Sequence, residues 1–204
     1  MSSELSATFL DHFSFLCASD EDRELLAALA ERIEKFTNDH GAVSFTIGAE
    51  EVSCNAPFKG LPHAETPASY AALASHHNGI TWESAGGGAL GFFGLDEKGR
   101  PDDFGFFESH FIEEGGNEDF IEALEGEDLS AEDLEEAYGC GQNWIIFDPL
   151  RESALGEPAL AFVSHEDCEW QPMLSADELS AAGVTLRLLA YYFNDDDSLE
   201  EINC

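Results

Sequence analysis

His165 and Cys168 stand close together in Ser-His-Glu-Asp-Cys, just after an apolar run, and form the nearest approach in this sequence to a thiol–imidazole couple. Such a couple needs a third group to orient the imidazole and donors to hold an oxyanion. No such groups can be picked out, although His110 supplies a further imidazole. A thiol in a strongly negative field also has its pKa raised, which suppresses the reactive thiolate. His76 and His77 are adjacent, and adjacent residues of a helix point to different faces, so they do not readily ligate one ion together. A structural or surface role is expected for them.

Other short patterns invite chemistry and then fall short of it. Asn194-Asp-Asp-Asp-Ser198 resembles the start of a calcium loop, but the glycine and the distal glutamate of such a loop are missing. Gly86-Gly87-Gly88 lacks the Lys-Ser/Thr of a phosphate loop and a helix to follow it, and reads as a turn before a strand. Asp102-Asp103 and Glu113-Glu114 are paired carboxylates of the kind hydrolases use. In a chain with 43 acidic residues such pairs arise by chance. The pattern therefore calls for no catalytic residue, metal or cofactor.

Charge is the outstanding property. The 43 acids face only 8 Lys plus Arg, for a formal net charge of −35. That field repels nucleic acid and anionic membranes and steers basic partners inward. Solubility or adaptation to high salt is the competing reading. From Pro101 to Leu150 there is no Lys or Arg at all. The segment from Asp102 to Glu136 is the expected docking surface for a basic protein. Asp102, Asp103, Glu108, Glu113, Glu114, Glu118 and Asp119 would supply charge, and Phe107, with Phe104, Phe106 and Phe111 beside it, would supply apolar anchors. A solvated helical face is the alternative.

The elements that must position these residues follow from periodicity. Trp144-Ile-Ile-Phe147 and Ala159-Leu-Ala-Phe-Val163 are short β-branched and aromatic runs bounded by breakers, as expected of central strands buried on both faces. The loop between them is too short for a helical crossover, so they pair antiparallel. Before them, Leu5, Phe9, Phe13 and Leu16 suggest one helix. Leu25, Leu26, Leu29, Ile33 and Phe36 form the stripe of a second, ended by Asn38 to Gly41. Val43 to Ile47 and Glu51 to Asn55 read as a hairpin across Gly48.

Residues 57–67 are breaker-rich, so residues 1–56 are expected to form an N-terminal helical and hairpin element, either separate or part of the same core, and residues 57–204 the main domain. Thr66-Pro67 reads as the cap of a helix carrying Tyr70, Leu73, Ala74 and His77, stopped at Asn78-Gly79. Ile80 to Glu83, Ala89 to Leu95 and Phe104 to Ile112 look extended. Glu118 to Tyr138 looks helical, with Ser130 and Asp133 as a cap. Val184 to Phe193 reads as a closing helix and Asp195 to Asn203 as a solvated acidic tail.

The five cysteines, Cys17, Cys54, Cys140, Cys168 and Cys204, are odd in number and form no CxxC. Reduced thiols in a cytoplasm are expected. No signal peptide is expected at the first residues, and no apolar run approaches the roughly 20 residues that span a bilayer.

The order Leu61-Pro62, Tyr70, then His77-Asn-Gly-Ile80 resembles the "LP…Y…NGG" opening of the SMI1/KNR4 family, the SUKH superfamily. The later strands around Trp144 and Ala159, with Gly156-Glu-Pro158 between them, are similar to that family's central pair. The resemblance covers roughly residues 61–193. It departs at Ile80, where a second glycine is common, and in the long acidic insertion. It implies an α+β fold with a mainly antiparallel sheet and helices packed on one side. It also implies a non-catalytic binding module, of which bacterial members are immunity proteins that neutralise toxins, often nucleases. Such toxins are basic because they bind phosphate, so an acidic inhibitor suits them. An intracellular regulatory scaffold and a hydrolase using His165 and Cys168 are the alternatives.

Overall fold

The computed structural model describes residues 2–83, 88–102, 122, 124–130, 133–164 and 170–202. Along the chain run α1 (Ser2–Phe13), α2 (Asp20–Arg32), β1 (Ile33–Asp39), β2 (Ala42–Ile47), β3 (Glu50–Cys54), α3 (Ala68–His76), β4 (Ile80–Glu83) and β5 (Ala89–Phe92). After the acidic segment come β6 (Glu135–Cys140), β7 (Asn143–Glu152), β8 (Pro158–Val163), β9 (Trp170–Pro172) and α4 (Ala181–Asn194). Tight 3-10 turns lie at Ser14–Leu16 and Leu174–Ala176.

The strands form one nine-stranded antiparallel sheet in sequence order, and the chain is α+β. Strands that neighbour each other in sequence also pair in space, which keeps most connections short. The long exceptions are β3 to β4, which carries α3, and β5 to β6, which carries the acidic segment.

The β7–β8 pair sits where its composition predicts. Trp144 faces Val163, Ile145 faces Phe162 and Phe147 faces Leu160. Because side chains alternate along a strand, Ile145, Phe147, Leu160 and Phe162 point into the main core. Trp144, Ile146, Ala161 and Val163 form a second cluster on the other face, closed by Leu124. Both faces are therefore dry, as the unbroken apolar runs require.

Among the described residues, α1 to α4 contribute to the main core. α4 is buried nearly all round, with Leu186, Leu189 and Ala190 at most 1% exposed. Ser180 caps its start and Asp195, in left-handed geometry, ends it. α2 begins with a full capping box between Ser19 and Asp22. The Asp22 carboxylate then reaches Arg187 of α4 at 2.8 Å, a buried ion pair that ties the two helices together. Sheet and core run through both sides of residue 57. Ser53 pairs with Thr81 across β3 and β4, and Phe45 shares one core with Tyr70.

Several expectations are corrected. The stripe of α2 stops at Arg32, and Ile33 to Asp39 is a strand rather than the last turns of a helix. The cause is local. His40 and Gly41 both have positive φ, 53° and 94°, the two-residue turn whose twist matches a hairpin, so residues 33–39 pair with β2. Helix does not run to Tyr138 either, because β6 starts at Glu135 and pairs with β5 and β7. β5 ends at Phe92, and Leu95 makes an isolated bridge to Pro101.

Thr66 does not cap α3. Its hydroxyl donates to the Gly99 carbonyl at 2.7 Å. The acidic tail is not simply solvated: Leu199 and Ile202 are buried, and the Glu201 carboxylate accepts from the Ser175 amide and hydroxyl. Apolar residues spaced three apart among acids suffice to pin it. Finally, Cys140 is disulfide-bonded, whereas Cys17 and Cys54 are free. Sequence spacing says nothing of which cysteines approach in space.

Candidate functional site

The acidic segment is an insertion between two paired strands, β5 and β6, so its two ends leave the sheet side by side. At the entry, Asp96 builds a tight turn. Its carboxylate accepts from the amides of Lys98 (2.8 Å) and Arg100 (2.9 Å), which hold it below the usual carboxylate range. The Gly99 carbonyl of that turn accepts from the His63 amide and the Thr66 hydroxyl, which fastens the 57–67 connector to it. The Asp102 amide then donates to Gly94 at 2.9 Å. At the exit, Asp133 accepts from both the amide and the hydroxyl of Ser130, each at 2.8 Å, and these bonds lower its pKa.

Entry and exit together line one cleft of about 310 Å³, formed by His63, Glu65, Thr66, Arg100, Pro101, Asp133, Leu134 and Glu135. Just before the exit, residues 124–126 are helical. Leu124 is 2% exposed and packs on Trp144, Ile146, Ala161 and Val163, while Glu122, Glu125, Glu127 and Asp128 are exposed. The described part of the insertion thus presents carboxylates outward and leucine inward.

Of the residues expected to bind a partner, Asp102 is exposed at the entry. Asp103, Phe107, Glu108, Glu113, Glu114, Glu118 and Asp119 lie outside the described residues. So do His110, His165 and Cys168, and the extended reading of Phe104 to Ile112.

The described residues assemble two further polar sites that sequence reasoning missed. Glu157 accepts from the Ser69 amide (2.7 Å) and hydroxyl (2.5 Å), and Ser69 Oγ in turn accepts from the Ala181 amide. The cavity beside them holds about 30 Å³, room for little more than a water. With the serine proton directed at a carboxylate and no imidazole in the cavity lining, this is a staple between α3, the β7–β8 turn and α4.

The second site is a histidine pair. His12 of α1 and His77 after α3 meet Nε2 to Nε2 at 2.9 Å, and His77 Nδ1 lies 2.9 Å from the Asn55 carbonyl. His76 points elsewhere, as adjacency predicts, and stacks on Phe15 with ring centroids 4.2 Å apart. His77 was legible as a helix-face residue; its partner, 65 positions away, was not.

The free thiols are not activated. Burial pushes Cys54 far up, and burial together with Asp22 raises Cys17. Among the described residues no group of three or more His, Cys, Asp or Glu is placed to hold a metal ion. None of their helices is long and apolar enough to cross a membrane.

Comparison with protein-family models, with curated proteins and with solved structures returned no match.

Proposed function

We propose that this chain is a non-catalytic protein-binding module that docks a basic protein through the acidic insertion between β5 and β6. The observation that carries this is the charge of −35 combined with a segment, residues 101–150, that holds no positive side chain. Rooting both ends of the insertion at one cleft and seating Leu124 on the sheet supports it, because a docking surface needs a rigid base. The resemblance to SMI1/KNR4 proteins extends the reading to an immunity protein that masks a basic, nuclease-type toxin. Such an inhibitor works by occupying a phosphate-binding surface, and needs no nucleophile of its own. A cytoplasmic location fits that role. The Cys140 disulfide is the observation that weighs against it, since cytosolic thiols are kept reduced.

The test is a pull-down with the tagged protein from its own cells, washed at rising salt. One basic protein retained at low salt and released as salt rises is the expected result. Retention of nothing basic at low salt refutes the proposal. With the partner in hand, the quadruple variant E113K/E114K/E118K/D119K is expected to slow association by roughly tenfold or more at low ionic strength. An unchanged association rate would remove the insertion from the interface.

A further inference from the structure

The His12–His77 contact admits only certain proton arrangements. A backbone carbonyl only accepts, so the Asn55 contact places a hydrogen on His77 Nδ1. Neutral His77 then presents a lone pair at Nε2, and the 2.9 Å contact requires His12 to donate its Nε2 hydrogen to it. The ring centroids are 5.1 Å apart with the two Nε2 atoms 2.9 Å apart, so the rings meet almost end to end. That is the geometry of a direct hydrogen bond. A shared metal ion would need both lone pairs turned to a common point beside the line joining them.

Protons added to this pair have only two places to go. The first can enter at His12 Nδ1 and leaves the Nε2 bond intact, now charge-assisted. The second has only His77 Nε2. There it sets two N–H groups and two positive charges against each other at a site where His77 is 2% exposed.

The surroundings give little relief. Asp11 of α1 favours a charge on His12, and His76 at the end of α3 opposes one on either ring. The 3-10 turn contributes Phe15, β1 contributes Phe36 and α1 contributes Phe13, all apolar.

We propose that His12 and His77 form a pH-sensitive latch, which holds α1 against the corner between α3 and β4 when at most one proton has been added and releases it when both rings are charged.

Burial is the largest cause in each ring, and both titrate below the ordinary histidine value of 6.5. The folded protein therefore binds fewer protons here than the opened one. The latch contributes its full stability above about pH 6.5, and the contribution falls as the pH drops below that value until the folded-state values are passed.

The test is amide hydrogen exchange of the full chain at pH 7.5 and pH 5.5, corrected for the intrinsic rate. Protection of α1 is expected to fall roughly tenfold more than protection of α4. The His12→Gln variant separates the latch from the many carboxylates. Its amide can donate to neutral His77, and its carbonyl can accept from the charged ring. In that variant the excess loss at α1 is expected to shrink to less than half. Equal pH dependence in both proteins, or no excess loss at α1 in the natural chain, overturns the proposal. Should H12Q fail to fold, nitrogen-detected NMR of the natural chain decides. A His77 ring carrying its hydrogen on Nδ1, and two linked titration steps, support the latch. Two independent titrations at ordinary values refute it.

Discussion

Asp22 shows how much one side chain can organise. Its Oδ2 accepts from the Ala18 and Ser19 amides at 2.8 Å, closing the capping box of α2, and its Oδ1 faces Arg187 of α4. Burial pushes this carboxyl up, but the Ala18 and Ser19 donors and the Arg187 guanidinium outweigh it and hold the pKa below the usual range. Arg187→Met is expected to lower stability by about 3–5 kcal/mol in urea unfolding at pH 7, because it leaves a buried charge without its partner. The stability that this pair contributes is present above the ordinary carboxylate range and is lost as pH falls through the lowered folded-state value. The cost of R187M should therefore shrink in acid. A loss that is the same at pH 7 and pH 3 would mean that packing, and not charge, is what the arginine supplies. Adjacency in sequence correctly separated His76 from His77, but no pattern linked His77 to His12, since that contact exists only once α1 has docked.

Among the elements, residues 33–39, residues 135–138 and the tail after α4 changed identity between pattern and fold. Ile33 to Asp39 continues an apolar stripe of helical spacing, yet it pairs with β2. Its turn, with consecutive positive φ values, decides the matter, because the twist of such a turn brings residues 33–39 back alongside β2. Gly91 of β5 shows a packing constraint that periodicity does not carry. A Cβ there would lie 2.2 Å from the Ile80 carbonyl, and its φ is +103°.

The tail after α4 is a further such segment. Its acids suggested solvation, but Leu199 at 1% and Ile202 at 6% exposure close the main core. Leu199→Ala is expected to cost about 2–4 kcal/mol by chemical denaturation. Asp197→Ala, at an exposed site two residues away, should stay within about 0.5 kcal/mol. If L199A is also within that margin, the tail contributes nothing to the core.

The whole molecule carries −35 on a 22.2 kDa chain, so its compact state works against its own field. Raising ionic strength from about 0.01 M to about 0.15 M shortens the screening length from roughly 30 Å to roughly 8 Å. Thermal stability is expected to rise by several degrees over that range, and affinity for a basic partner to fall over the same range. Opposite signs for folding and binding under one variable are the signature of a charge used for docking. A melting temperature that does not move with salt would show that the carboxylates are spaced too far apart to repel.

Legible in the sequence were the antiparallel β7–β8 pair dry on both faces, the positions of α3 and α4, and the acidity of the insertion. These are local or compositional properties: alternation, helical spacing, breakers and charge are all written in neighbouring residues. The fold alone reveals that residues 33–39 join the sheet and that both ends of the insertion meet at one cleft. It alone showed the tail returning to the core and His12 reaching His77. Each of these rests on contacts between distant parts of the chain, whose loop-closure cost is offset only when the whole sheet and its helices form together. Spacing along a chain does not encode such contacts.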